Sequence, residues 1–295
     1  MNSEESPSLD KSLILKALIQ SAKLRLVFLL AFAGGATMVI AGQFTVPLET
    51  FFAALMAISL TSAGANVLTG YIDRDIDAKM TRTQHRPLPK QLLTPRTALA
   101  YGLLLTSVGL ILSWTVGLLF FLIGVGGLLD YVLVYSFFTK RRTWASVLLG
   151  SFSGGAPVLG GWVAATQTLS IESIILAAIV ILWIPGHIWS LALSYADDYR
   201  AAEIPMLPAV AELPTVTRSI ALSILLLAGL SLLPVISGFA GIWYIVISLP
   251  VTAVVVAGNL WLAISPSKRL SWTMFKISSP YLFILFLALI MDVLV

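Results

Sequence analysis

Nine apolar runs, each close to the length of a bilayer crossing, divide this 295-residue chain: 26–42, 47–72, 97–116, 118–138, 145–166, 171–196, 216–236, 242–264 and 272–295. A helix needs about 20 such residues to cross the hydrocarbon. Only 11% of the residues are charged and 58% are hydrophobic. A soluble domain carries about 25% charged residues, so too few charges remain to coat a water-facing surface. The runs therefore predict an all-α polytopic membrane protein with nine transmembrane helices around a central cavity. The weakest division lies within 101–138, where only residues 114–117 separate two helices.

The 18 basic residues test the count. Lys11, Lys16, Lys23 and Arg25 precede or open the first run, and Arg74, Lys79, Arg82, Arg86, Lys90 and Arg96 separate the second from the third. Lys140, Arg141 and Arg142 follow the fourth, Arg200 and Arg218 flank the connection after the sixth, and Lys268, Arg269 and Lys276 stand at the entrance to the ninth. All fall on one side, as a wrong count would not allow. The positive-inside rule then predicts a cytoplasmic N-terminus and cytoplasmic long loops. Residues 1–23 read as a tail followed by an amphipathic helix lying on the membrane, and 24–295 as one nine-helix domain. Glu4, Glu5 and Asp10 and the absence of a small-residue cleavage pattern speak against a cleavable signal peptide. With no cysteine, disulfides, thiolate metal sites and a cysteine nucleophile are excluded.

Chemistry concentrates at two helix ends. At 100° per residue, Asn66, Gly70, Asp73 and Asp77 share one face within roughly 60°, and Asp75 points the other way. Two carboxylates one turn apart repel unless a cation lies between them. Oxygen ligands of this kind suit Mg²⁺, which commonly bridges to phosphates. The bland alternative is a solvated helix end paired to Arg74 and Lys79. The end of the sixth run repeats the spacing with His187, Ser194 and Asp198, Asp197 lying beside it. Intramembrane ionisable residues are functional candidates by default, although a lone histidine can also be a packed one. Pro185 and Gly186 predict a kink or unwound turn there, tolerable in lipid if it lines a cavity. The shared offset of four runs suggests two related four-helix units. Arg82 and Arg86, in a loop stiffened by Pro87 and Pro89, are suited to a di- or polyphosphate. Lys140, Arg141 and Arg142 fit the same role or a plain topology signal.

Three stretches carry a resemblance: 71–80 (YIDRDIDAKM) with Arg82 and Arg86; Tyr135 with Lys140 to Thr143, leading into 150–157 and 160–162; and 183–192 (WIPGHIWSLA) with Asp198, Tyr199 and 204–208. They resemble the UbiA-type membrane aromatic prenyltransferase superfamily, from about residue 16 to the end of the chain. The third stretch favours its haem-farnesylating branch. Three positions depart from the pattern. Thr69 stands where an asparagine is usual four residues before the first aspartate, with Asn66 one turn earlier. Ala202 interrupts a second Asp-x-x-x-Asp that begins at Asp198. The opening of the first run reads Lys23-Leu24-Arg25 rather than Lys-Pro-Arg. Asp130 has no assignment.

The resemblance implies Mg²⁺ held by the catalytic residues Asp73, Asp77 and Asp198, and farnesyl diphosphate and haem B as substrates. It implies substrate-binding roles for Asn66, Arg82, Arg86, Lys140, Tyr135, Asp197 and His187, the last touching either haem iron or a propionate. A multi-pass plasma-membrane location, a cytoplasmic active site and a haem A synthase as partner follow from it, with no nucleic-acid partner. Another prenyl acceptor, such as a quinone precursor, is the nearest alternative. A transporter is the distant one, because transporters hold their ionisable groups near the midplane and these carboxylates gather at one rim.

Overall fold

The computed structural model describes residues 11–295, so the predicted tail, 1–10, lies outside the described residues. It is helical throughout: α1 Lys11–Ser21, α2 Leu24–Gly42, α3 Leu48–Ile72, α4 Arg74–Lys79, α5 Pro95–Val116, α6 Leu118–Leu129, a π-helix Asp130–Thr139, α7 Ser146–Leu149, α8 Phe152–Thr166, α9 Ile171–Ser194, α10 Ala196–Ala201, α11 Leu207–Val210, α12 Leu213–Leu230, α13 Leu233–Ile236, α14 Ile242–Ile264 and α15 Lys268–Leu294. Among the described residues nine helical spans are long and apolar enough to cross a membrane, as the sequence predicts. The doubtful division falls where expected, with Gly117 between α5 and α6.

Lipid provides no hydrophobic drive between helices, so tight association depends on close packing. At the crossing of α2 and α8, a Cβ on Gly161 would lie 2.1 Å from the carbonyl oxygen of Gly34, so only glycine lets these backbones meet. At the Pro185–Gly186 step the helix is not unwound, which corrects that part of the sequence expectation. Helix α9 runs without interruption from Ile171 to Ser194, and Gly186 serves packing: a Cβ there would lie 2.8 Å from Ile224 and 2.9 Å from the Ser223 hydroxyl, both on α12. The break in this span comes lower, at Tyr195, where α10 begins and turns Asp197 and Asp198 across the helix end.

The spans enclose a cavity of about 880 Å³. Its walls are mostly apolar, with Phe28 and Phe283 among them, and Asn66, Tyr131, Tyr135 and His187 supply polar groups. Arg25 and Lys276, from α2 and α15, also line it.

Candidate active site

The stripe on α3 and α4 divides by face. The side chains of Asp73 and Asp77 are 7% and 5% exposed, whereas that of Asp75 is 58% exposed. Of the neighbours that the bland reading assigned to them, Arg74 is elsewhere: it folds over the Tyr71 ring, 4.6 Å from its centroid, and donates to the Tyr71 carbonyl. Distant residues take their place. Lys140 Nζ donates to Asp73 Oδ2 at 2.5 Å, and Arg86 Nη1 contacts both oxygens of Asp77 at 2.8 and 2.7 Å. Burial alone opposes a charge on Lys140, but the Asp73 carboxylate outweighs it, and the ammonium is held above its ordinary pKa. Asp75 pairs outward with Arg141, whose hydrogen bonds hold that carboxyl down near 2.

Lys140 reaches Asp73 because the fourth span ends as a π-helix, in which Lys140 donates its backbone N–H to Tyr135 five residues earlier. Such segments are frequent at functional sites. This one stacks Tyr131 on Tyr135, centroids 5.8 Å apart and planes within 6°, with Lys140 Nζ 5.7 Å from the Tyr135 ring. Asp130, left unassigned by the sequence, opens the π-helix. Its Oδ2 accepts the Ser153 N–H at 2.8 Å, placing a buried carboxylate at the N-terminus of α8, where the helix dipole favours negative charge.

Asn66 is buried between two elements. Its Nδ2 donates to the Ala22 carbonyl at 3.2 Å and its Oδ1 accepts from Tyr131 at 3.4 Å. Thr69, at the position where the family pattern has its amide, turns inward and donates to the Asn66 carbonyl. Asn66 thereby secures the corner before Lys23, whose φ of 54° and ψ of 56° are left-handed. That corner turns Lys23 towards the site. Its pKa is lowered by burial, and it feels Tyr131, Arg86, Asp77 and Lys140. Sequence reasoning placed Lys23 on an amphipathic helix. The Lys-Leu-Arg opening of the first span was the signal for it.

The second cluster splits. Asp198 accepts from the Thr81 hydroxyl and, at 3.0 Å, from the Arg82 backbone N–H. Arg82 lays its guanidinium 5.7 Å from the Tyr195 ring centroid. Asp197 faces away, 73% exposed, and pairs with Arg200 and Lys268. The structure does not bring it to the other predicted residues. Nor does Asp198 join Asp73 and Asp77: among the described residues no three His, Cys, Asp or Glu side chains gather as one metal cluster. The residues that converge are Asp73, Asp77, Lys140, Arg86 and Lys23, with Asn66 and Tyr135 beside them at the cavity wall.

A buried pair of carboxylates matched by cations beside a large apolar cavity is the arrangement expected for a diphosphate carrying a greasy tail. The UbiA prenyltransferase family matches residues 27–289. The chain belongs to that family. It is 41% identical over 281 residues to a protoheme IX farnesyltransferase of Desulforudis audaxviator, covering 94% of this chain and 88% of that protein. To protoheme IX farnesyltransferase 2 of Cenarchaeum symbiosum it is 36% identical over 294 residues, covering 92% and 93%. The fold matches that of a UbiA homologue from Archaeoglobus fulgidus bound to GPP and Mg²⁺, with a TM-score of 0.68 at 17% identity, covering 93% of this chain and 99% of that one. This chain is a prenyltransferase of a multi-pass membrane family.

Proposed function

We propose that this protein transfers the farnesyl group of farnesyl diphosphate to a vinyl group of haem B, giving haem O, in an Mg²⁺-dependent reaction at the cytoplasmic face of the plasma membrane. The observation that carries the reading is the Asp73–Lys140 and Asp77–Arg86 pairing beside an apolar cavity of about 880 Å³. The haem acceptor is supported by two relatives named as protoheme IX farnesyltransferases, 41% and 36% identical. The cytoplasmic face is supported by the one-sided distribution of basic residues.

The donor set fits Mg²⁺. Asp73 Oδ1 is buried without a hydrogen-bond partner, an expensive vacancy for a carboxylate, and oxygen donors suit a hard cation. Asp73 and Asp77 would hold the ion, and when bound it would act as a Lewis acid on diphosphate oxygens. Lys140 and Arg86 flank the same place with positive charge, to which Lys23 adds when protonated, and they stabilise the negative charge that grows on the departing diphosphate. Arg82, its backbone held by Asp198, would join them once a diphosphate is bound. The stacked faces of Tyr131 and Tyr135 offer π-density to the allylic cation.

The cavity shelters the prenyl chain from water. The C–O bond of the diphosphate ester breaks, and the vinyl group forms a new bond to the allylic carbon. Water captures the resulting carbocation, leaving a hydroxyl and releasing a proton. A haem A synthase is the partner this product implies.

Membranes containing the protein, incubated with haem B, farnesyl diphosphate and Mg²⁺, should yield a product with the mass of haem plus a farnesyl group and a hydroxyl. A product formed only when a phenolic quinone precursor replaces haem would sink the haem reading and leave prenyl transfer standing.

A further inference from the structure

The ring of His187 stands between two aromatic neighbours. Trp183 stacks with it at 4.3 Å between centroids, and Phe275 lies at 4.5 Å. With both faces occupied, a ligand in the cavity meets only the ring edge, and the hydrogen bonds decide what that edge offers. Nδ1 lies 2.5 Å from the Ser278 hydroxyl oxygen. A serine hydroxyl has one hydrogen to give, and Ser278 donates it to the Phe275 carbonyl at 2.7 Å. Ser278 must then accept from the ring. Nδ1 carries the proton, and Nε2 is left as a bare lone pair. Trp183 Nε1 donates to the Ser278 carbonyl at 2.9 Å, fixing the same residue a second time. Among the described residues Nε2 makes no hydrogen bond, and His187 lines the cavity.

A lone-pair nitrogen repels a carboxylate and cannot donate to one. It binds a hydrogen-bond donor or a metal ion. A histidine whose second nitrogen is already committed to an acceptor is the form in which imidazole ligates metals. Resting on the haem reading above, we infer that His187 Nε2 is an axial ligand of the iron of the acceptor haem. The iron, rather than a propionate, is what this tautomer selects.

The remainder of the seat is consistent with this. Arg25 and Lys276 line the same cavity and form no ion pair among the described residues, so two cations are free for the two propionates. From His187 the α9 helix continues seven residues to Ser194, a rise of about 10 Å towards the carboxylate rim. Iron held at His187 leaves the porphyrin edge to project towards the diphosphate.

The test is haem titration of the purified full-length protein, read by its Soret and reduced spectra, beside metal-free protoporphyrin IX. Wild-type protein should bind haem with an imidazole-ligated spectrum, and more tightly than the metal-free ring. His187→Ala should lose that signature, weaken haem by ~100-fold, and recover it with added imidazole. Ser278→Ala, which removes the acceptor that sets the tautomer, should weaken haem by ~10-fold. Affinity for farnesyl diphosphate should stay at the wild-type value in both variants. Equal wild-type affinity for haem and the metal-free ring overturns the ligation whether or not the variants fold, as does an imidazole signature retained in His187→Ala. In either case haem farnesylation by wild-type protein keeps the haem reading intact, whereas no haem binding together with turnover of another acceptor removes both.

Discussion

The Thr81 hydroxyl sits 2.7 and 2.8 Å from the two oxygens of Asp198, joining the loop after α4 to the end of the sixth span. The Arg82 N–H adds a third bond. In this arrangement Asp198 organises the loop that carries Arg82 and Arg86. A hydrogen bond to a charged group contributes about 1.5–3 kcal/mol. Thr81→Val should therefore lower kcat/KM by ~10-fold and accelerate hydrogen exchange across 80–93. A silent Thr81→Val beside an inactive Asp198→Asn would instead make Asp198 a metal ligand, as the family resemblance implied.

Asp73 and Asp77 should each be critical and Asp75 dispensable. Removing one charged group from a preorganised site costs ~100-fold or more in rate, so Asp73→Asn and Asp77→Asn should fall by that much. EDTA should abolish activity and Mg²⁺ restore it. Asp75 and Arg141 form a half-exposed pair, worth about 0–1 kcal/mol. The Asp75 carboxyl is depressed to about 2, so its contribution is present above the ordinary value near 3.8 and is lost as pH falls towards 2. Near neutral pH, Asp75→Asn should leave turnover within ~3-fold of wild type. Sensitivity equal to that of Asp73 would refute the division of the helix into two faces.

What the sequence disclosed follows from the range of each signal. Hydropathy and charge segregation are local and additive, so all nine spans were legible, including the division at Gly117. The facing of Asp73 and Asp77 was legible because helical period depends on backbone geometry alone. Partners were not. Lys140 belongs to Asp73 only because a π-helix re-aims the end of the fourth span, and no residue pattern announces that change of period. Asn66 lies on the predicted face but is committed to Ala22 and Tyr131. Asp197 has the same local surroundings as Asp198, yet the turn at Tyr195 sends it outward. Asp130 had no sequence rationale because its partner, the N-terminus of α8, lies across the fold. The Pro185–Gly186 step misled for the same reason: the small residue answers a neighbouring helix.

Topology is testable without removing any native cysteine, because the chain has none. Gln91 lies in the loop between α4 and α5, and Gln167 ends α8. In sealed cells, Gln91→Cys should resist an impermeant thiol reagent until the membrane is opened, and Gln167→Cys should react from outside. Reaction of both from one side would contradict the nine crossings, and the reverse pattern would place the carboxylate rim outside the cell.

Lys23 and Lys140 face the same carboxylates and are pushed in opposite directions. Burial lowers Lys23, with Arg86 and Lys140 adding to the effect against Tyr131 and Asp77. Lys140 is raised by Asp73 against its own burial. As pH rises, Lys23 should therefore lose its proton below the ordinary lysine value and before Lys140, which stays an ammonium. The positive wall around the diphosphate then weakens at one identifiable residue. KM for farnesyl diphosphate should climb on the alkaline side in the wild type. Lys23→Arg, which keeps its charge at any accessible pH, should flatten that climb. Lys23→Met should hold KM at the value the wild type reaches once Lys23 is neutral, ~10-fold above that with Lys23 charged, and should show no dependence on that titration. An alkaline limb that persists unchanged in Lys23→Arg would assign the titration to another group and leave Lys23 as a corner residue set by Asn66.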